Sequence, residues 1–337
     1  MADKFLYEGL DSLSAFGGLK KEIPAYLKEN LNPRFELRPY QEEAFARFFH
    51  CLDNDFPGKD WPLHFLFNMA TGSGKTLIMA GLILYLYDKG YRNFLFFVNS
   101  TNIIEKTRDN FLNPLSSKFL FVENIRFGTK RVSASPVANF EGVNENDINI
   151  CFTTIQKLHS DLTAEKENAL TYEDFKDKKI VLLADEAHHM NTRTKAQKEM
   201  FESWENTVER IFQQNEDNLL LEFTATLDYT NSYIADKYKN KVLYRYDLRQ
   251  FRNDGYSKDV YIVQADFDEK DRIIQALILS QYKQEVAAKH RINLKPVILF
   301  KAQKTIAQSQ ENKANFHNLI DHLSEDDLKR IREKSDI

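Results

Sequence analysis

Short apolar runs alternate with helix-spaced segments along most of the chain. Leu63 to Phe67, Phe94 to Val98, Ile148 to Phe152, Ile180 to Ala184 and Leu219 to Phe223 are of strand length and largely apolar, the pattern of strands buried in a parallel sheet. Between them the spacing turns helical. Ala44, Phe45, Phe48 and Phe49 fall on one face of a helix with Pro39 near its start. Leu77 to Tyr87 continues as a helix closed by Gly90, and Met200, Phe201, Trp204, Val208, Ile211 and Phe212 mark an amphipathic helix. Residues 113–147 are rich in Ser, Asn, Gly and Pro and read as a loop-heavy insertion with a hairpin. Residues 233–259 are mixed and charged, and a long helical pattern at 269–290 precedes a new strand, Pro296 to Phe300. Alternation of this kind predicts an α/β fold, a parallel sheet flanked by helices. It divides the chain into a lead-in at 1–34, a first domain at 35–235, a crossing at 236–262 and the beginning of a second α/β domain at 263–337.

The ends of these runs carry the chemistry. Met69-Ala70-Thr71-Gly72-Ser73-Gly74-Lys75-Thr76 lies between a strand and a helix, the setting of a phosphate-binding loop, with Met69 where the usual pattern has Gly. Gly72 and Gly74 let main-chain N–H groups approach a polyphosphate, Lys75 reaches the β- and γ-phosphates, and the Thr76 hydroxyl suits Mg²⁺. Upstream, the Gln41 amide matches the donor and acceptor of an adenine edge; alone it would be a solvated helix-start residue. Asp185 and Glu186 follow the run Ile180 to Ala184. There one carboxylate can hold the Mg²⁺ of a bound nucleotide and its neighbour can orient or deprotonate a water. Asn99, Ser100, Thr101 and Asn102 end another run, with Glu105 placed as in a capping box three residues after Asn102. They either hold a nucleic-acid phosphate or simply cap a helix. Thr153 and Thr154 sit at a strand's carboxyl end, where ligands of open α/β sheets bind. Thr224 and Thr226 either link a nucleotide site to another surface or cap a turn. Arg126, Lys130 and Arg131 form a small basic cluster that reads as a solvated face, and His188 with His189 lacks a third ligand for a metal site.

Composition narrows the class without deciding it. A chain of 337 residues, 42% hydrophobic and 28% charged, is that of a globular protein with a large core. Its net charge of −4 offers no global basic surface, so any nucleic-acid contact must be local. Cys51 and Cys151 suggest neither a disulfide framework nor a metal cluster. The start lacks the layout of a signal peptide and Leu77 to Tyr87 is too short to span a bilayer, so a cytoplasmic protein without membrane contact is expected.

Taken in order, Arg-Pro-Tyr-Gln at 38–41, Ala-Thr-Gly-Ser-Gly-Lys-Thr at 70–76, Asp-Glu-Ala-His at 185–188 and Thr-Ala-Thr at 224–226 resemble superfamily 2 helicases and translocases of the DEAH-like kind. Most specifically the chain resembles the restriction subunit of type III restriction-modification enzymes, over roughly Arg38 to Gln303. The resemblance implies a RecA-like ATP-binding domain and the start of a second, incomplete one. It implies ATP and Mg²⁺ as cofactors, with Arg38, Gln41 and Thr71 to Thr76 at the nucleotide and Thr76 and Asp185 at the metal. Lys75, Asp185 and Glu186 would be catalytic, and His188, Thr224 and Thr226 would couple hydrolysis to strand movement. Asn99 to Asn102, Thr153 and Thr154 would touch the nucleic-acid backbone. Double-stranded DNA and a DNA-modification (methyltransferase) subunit are the implied partners. Family members complete the second domain with arginines that reach the γ-phosphate, and these are not found after Phe300, nor is a nuclease domain. The expectation is a motor fragment with weak hydrolysis. The competing reading is a nucleotide-gated DNA- or protein-binding module with little turnover.

Overall fold

The computed structural model describes residues 4–163, 171–185, 195–258, 268–302 and 305–334. Two compact units divide the chain, Met1–Asp259 and Val260–Ile337.

The first unit opens with helices α1 (Leu6–Ala15), α2 (Ala25–Asn30) and α3 (Pro39–Asp53), followed by strand β1 (Leu63–Met69), helix α4 (Lys75–Asp88), β2 (Asn93–Val98) and α5 (Thr101–Leu112). The insertion forms β3 (Ile125–Phe127), β4 (Lys130–Val132) and β5 (Ala134–Val137), and then come β6 (Ile148–Thr154), α6 (Ile155–Thr163), α7 (Glu173–Lys176) and β7 (Ile180–Asp185). The unit finishes with α8 (Lys195–Phe212), β8 (Leu219–Thr224), α9 (Ser232–Tyr238), β9 (Val242–Tyr246) and α10 (Leu248–Asn253). Seven strands make one sheet in the order β5-β6-β2-β7-β8-β1-β9, every pair parallel, and β3 and β4 form the separate antiparallel hairpin expected of the insertion. The α/β expectation is met by this helix-flanked parallel sheet.

The five apolar runs occupy the sheet because both of its faces are covered. Phe67 of β1 stacks on Phe223 of β8 with ring centroids 4.7 Å apart, and both rings are fully buried. Helix α4 is buried almost all round, since α2 and α3 pack on it as well as the sheet. Pro39 stands at the first position of α3, and Gly90 follows α4 at φ 97°, with Tyr91 N–H donating to Leu86 O (2.9 Å), as the capping pattern predicted.

Two stretches differ from expectation. Val242–Tyr246, expected within the crossing, form β9 and join the sheet beside β1. The lead-in belongs to the same unit: α1 lies against β9, and the buried Arg47 of α3 joins the three. Its guanidinium meets Asp11 (2.7 Å) and Glu43 (2.9 Å), donates to Leu243 O (3.3 Å) and lies 4.5 Å over the Tyr244 ring.

The second unit holds α11 (Glu269–Lys289), α12 (Ile306–Asp321) and α13 (Glu325–Lys334). The strand expected at Pro296 to Phe300 is not formed: residues 293–302 have no regular structure, and Val297 and Leu299 are exposed. A strand needs a ladder partner, and among the described residues of this unit there is none. Among the described residues no helix is long and apolar enough to cross a membrane.

Candidate nucleotide-binding site

Because all seven strands run one way, their carboxyl ends lie along one rim, where open α/β sheets bind ligands. There β1 delivers Met69, β2 Asn99, β6 Thr154, β7 Asp185 and β8 Thr224. β8 separates β7 from β1, so Asp185 stands about two strand spacings, roughly 10 Å, from the loop after β1.

That loop turns on two glycines, Gly72 at φ 83° and Gly74 at φ 80°. A Cβ on Gly72 would meet nothing within 4 Å, so the backbone there stands open. A Cβ on Gly74 would lie 2.5 Å from Gln41 Nε2, so both the dihedral and the contact exclude a side chain. No side chain caps the start of α4, which leaves its first N–H groups and positive end to an anion. Lys75 is buried, and among the described residues its Nζ donates to the loop carbonyls of Met69 (3.3 Å) and Ala70 (3.5 Å). Ser73 Oγ is buried with no hydrogen-bond partner among the described residues. Thr71 is exposed and Thr76 half-buried. An open backbone cradle, an ammonium on neutral acceptors and an orphaned hydroxyl fit a polyphosphate.

The start of α3 is fastened to this loop. Tyr40 Oη and Gln41 Nε2 both donate to Ser73 O, at 3.0 and 2.9 Å, and Gln41 Oε1 accepts from Arg38 N–H (3.0 Å). The buried Gln41 amide therefore positions the loop and keeps one N–H and one lone pair uncommitted. Burial raises the Tyr40 phenol above its ordinary pKa, against a partial offset from Arg38, which keeps it a donor. A cleft of about 720 Å³ runs along these groups, lined by Arg38, Gln41, Gly72, Gly74, Thr76 and Tyr256 among others.

Asp185 is half-buried at the end of β7, and Glu186 and His188 lie outside the described residues. Thr224 is fully buried; its Oγ1 donates to Thr226 O (2.9 Å) and accepts from Thr226 N–H (3.2 Å). Asn68, in the strand leading to the loop, donates from Nδ2 to Thr224 O (3.4 Å) and accepts from Tyr229 Oη (3.0 Å) at Oδ1. Asn68 and Tyr256 carry no local pattern that marks them; only the topology brings them here.

At the other end of the rim, α5 starts with Ser100 at its N-cap, whose side chain makes no capping bond. Asn102 lies inside the first turn, so the expected box with Glu105 is not formed. Thr101 and Asn102 are exposed, while Asn99 and Ser100 are half-buried. Thr153 and Thr154 are buried, and Thr154 Oγ1 accepts from Lys157 N–H (3.1 Å), capping α6. A second cleft of about 340 Å³ passes Arg108, Thr153 and Lys157. Arg126, Lys130 and Arg131 sit on the β3–β4 hairpin. Burial pushes the Cys51 and Cys151 thiols up to about 12, so both are inert core groups. Among the described residues no group of three or more His, Cys, Asp or Glu could hold a metal.

Residues 34–229 match the family model described as type III restriction enzyme, res subunit. A probable type III restriction-modification enzyme HindVIP Res subunit of Haemophilus influenzae is 39% identical over 327 residues; the match covers 89% of this chain and 63% of the length of that relative. Among solved structures, the UvsW helicase of bacteriophage T4 is 15% identical with a TM-score of 0.36, covering 70% of this chain and 77% of that one. A DEAD box protein of Methanococcus jannaschii is 14% identical with a TM-score of 0.39, covering 86% and 77%. With the family model matched over more than half of the chain, from α3 to the loop after β8, the chain belongs to the family of type III restriction enzyme Res subunits.

Proposed function

We propose that this chain is the nucleotide-driven motor region of a type III restriction enzyme, binding Mg-ATP in the cleft beside α4 and coupling its hydrolysis to movement on double-stranded DNA. The observation that carries the reading is Lys75, a buried ammonium held on neutral loop carbonyls at the uncapped start of a helix. Such a cation lacks a counter-charge among the described residues, and a triphosphate supplies one.

Mg²⁺, when bound, would polarise phosphate oxygens and neutralise charge as it develops. Thr76 and Asp185 are suited to hold it, since this ion takes one or two protein oxygens and completes its shell with phosphate and water. Glu186 accepts the proton of the attacking water, and Gln41 offers adenine its uncommitted N–H and lone pair. Thr224 and Thr226, tied to β1 through Asn68, and His188 relay the state of the cleft to the DNA-facing rim. Asn99 to Asn102, Thr153 and Thr154 contact the DNA backbone there, and a modification subunit is the protein partner, in the cytoplasm.

Lys75→Ala should abolish Mg-ATP binding in isothermal titration while leaving the circular dichroism and melting profile intact. Equal affinity in variant and parent refutes the loop's role. Glu186→Gln should bind ATP and lose hydrolysis, read as phosphate release; unchanged turnover removes Glu186 from the chemistry.

A further inference from the structure

The cleft has an aromatic end that no part of the phosphate chemistry uses. Tyr256, after α10, is half-buried there and has two flat neighbours: Phe251, stacked at 5.9 Å and 27°, and the exposed Arg38, whose guanidinium lies 4.7 Å over the ring centroid. Tyr40 closes the edge at 5.1 Å and 70°. Arg38 is thus a planar, delocalised cation spread on an aromatic face, beside the amide of Gln41, which accepts from Arg38 N–H.

We infer that Tyr256 is the base-stacking residue of this site and that the Arg38 guanidinium is a placeholder on the face a nucleobase takes. The inference rests on the nucleotide reading above. A base entering the cleft displaces Arg38 from Tyr256 and lies between them, ring on one side and guanidinium on the other, with Gln41 at its edge. Phe251 stacks on the Tyr256 ring and Tyr40 meets it at a steep angle, so the ring's orientation is preset before ligand arrives. Stacking acts on any base, whereas the Gln41 amide distinguishes them. Tyr256 therefore sets affinity and Gln41 sets preference.

The test titrates ATP, GTP and inorganic tripolyphosphate, each with Mg²⁺, into the full chain and its variants. Tyr256→Ala should weaken ATP and GTP alike, on the order of 10- to 100-fold, the worth of one aromatic stack. Tripolyphosphate, which has no base, should bind as it does to the parent, and Tyr256→Phe should retain ATP affinity. Tyr256→Leu keeps apolar packing on Phe251 and Tyr40 while removing the π face, and carries the same expectation if the Ala variant does not fold. ATP affinity unchanged in Tyr256→Leu or Tyr256→Ala, while Lys75→Ala abolishes it, overturns the stacking role alone. A parallel loss of tripolyphosphate affinity overturns it too, by showing a merely structural part. Absence of ATP binding by the parent overturns the nucleotide reading and this inference with it.

Discussion

In the first unit Leu63, Phe65, Leu66 and Phe67 are buried in β1, which has β8 on one side and β9 on the other. In the second unit Val297 and Leu299, in a run just as apolar, are 86% and 87% exposed and belong to no strand. The side chains differ little, so what separates the two is the supply of partners. β1 has its N–H and C=O groups taken up on both edges and helices over both faces, whereas residues 293–302 have neither among the described residues of their unit. An apolar run reports a preference for burial, and the neighbours decide whether it becomes a strand.

Substitutions on the two sides should therefore differ sharply. Phe67→Ala empties a fully buried site stacked on Phe223 and should cost roughly 3–5 kcal/mol in denaturant unfolding. A loss below about 1 kcal/mol would show that the sheet relaxes around the cavity.

Beneath the same strands, Glu222 is buried against His64, with Oε2 2.8 Å from Nε2. Burial pushes its carboxyl up, but His64 and a hydrogen bond from Tyr238 outweigh this and hold it below its ordinary 4.5. A depressed folded-state value means that the ionised form stabilises the fold above pH 4.5 and that this share is lost as pH falls through the lower folded value. Glu222→Gln should cost about 1–3 kcal/mol at neutral pH and flatten the acid limb of a melting-temperature profile. An acid limb identical to the parent's would assign that limb to other carboxylates.

Gly74→Ala should cost about 1–2 kcal/mol from the left-handed backbone alone. It should also displace Gln41, so nucleotide binding should fall further than melting does; a variant that melts lower but binds ATP normally would separate Gln41 from the site. Val297→Ser, at the other extreme, should change stability by no more than about 0.5 kcal/mol, and a larger shift in melting would reveal a partner for that run.

The contrast also explains what the sequence could tell. Strands buried on both faces leave a continuous apolar run, so β1, β2, β6, β7 and β8 were legible, and the glycine turn between β1 and α4 was legible because its residues are contiguous. β9 was not: Lys241 precedes it and Arg245 interrupts Val242, Leu243, Tyr244 and Tyr246, as suits a strand with a neighbour on one side only. β5 hid in the Ser- and Pro-rich insertion for the same reason. Tyr256 and Asn68 were invisible because their partners, Arg38 and Thr224, are distant in sequence. A one-dimensional pattern holds the local chemistry of the cleft; the base wall and the tie to Thr-Ala-Thr come from chain crossings.

The two rims of the sheet have a bearing on how such molecules behave when crowded together. An open sheet ends in strands whose outer amides invite a strand from another chain, the route to aggregation. Here one terminal strand, β9, has α1 packed against it, and the other, β5, is four residues long and carries Pro136, which has no N–H to offer. The lead-in helix and a single proline thereby act as guards, and molecules crowded at high concentration can remain separate.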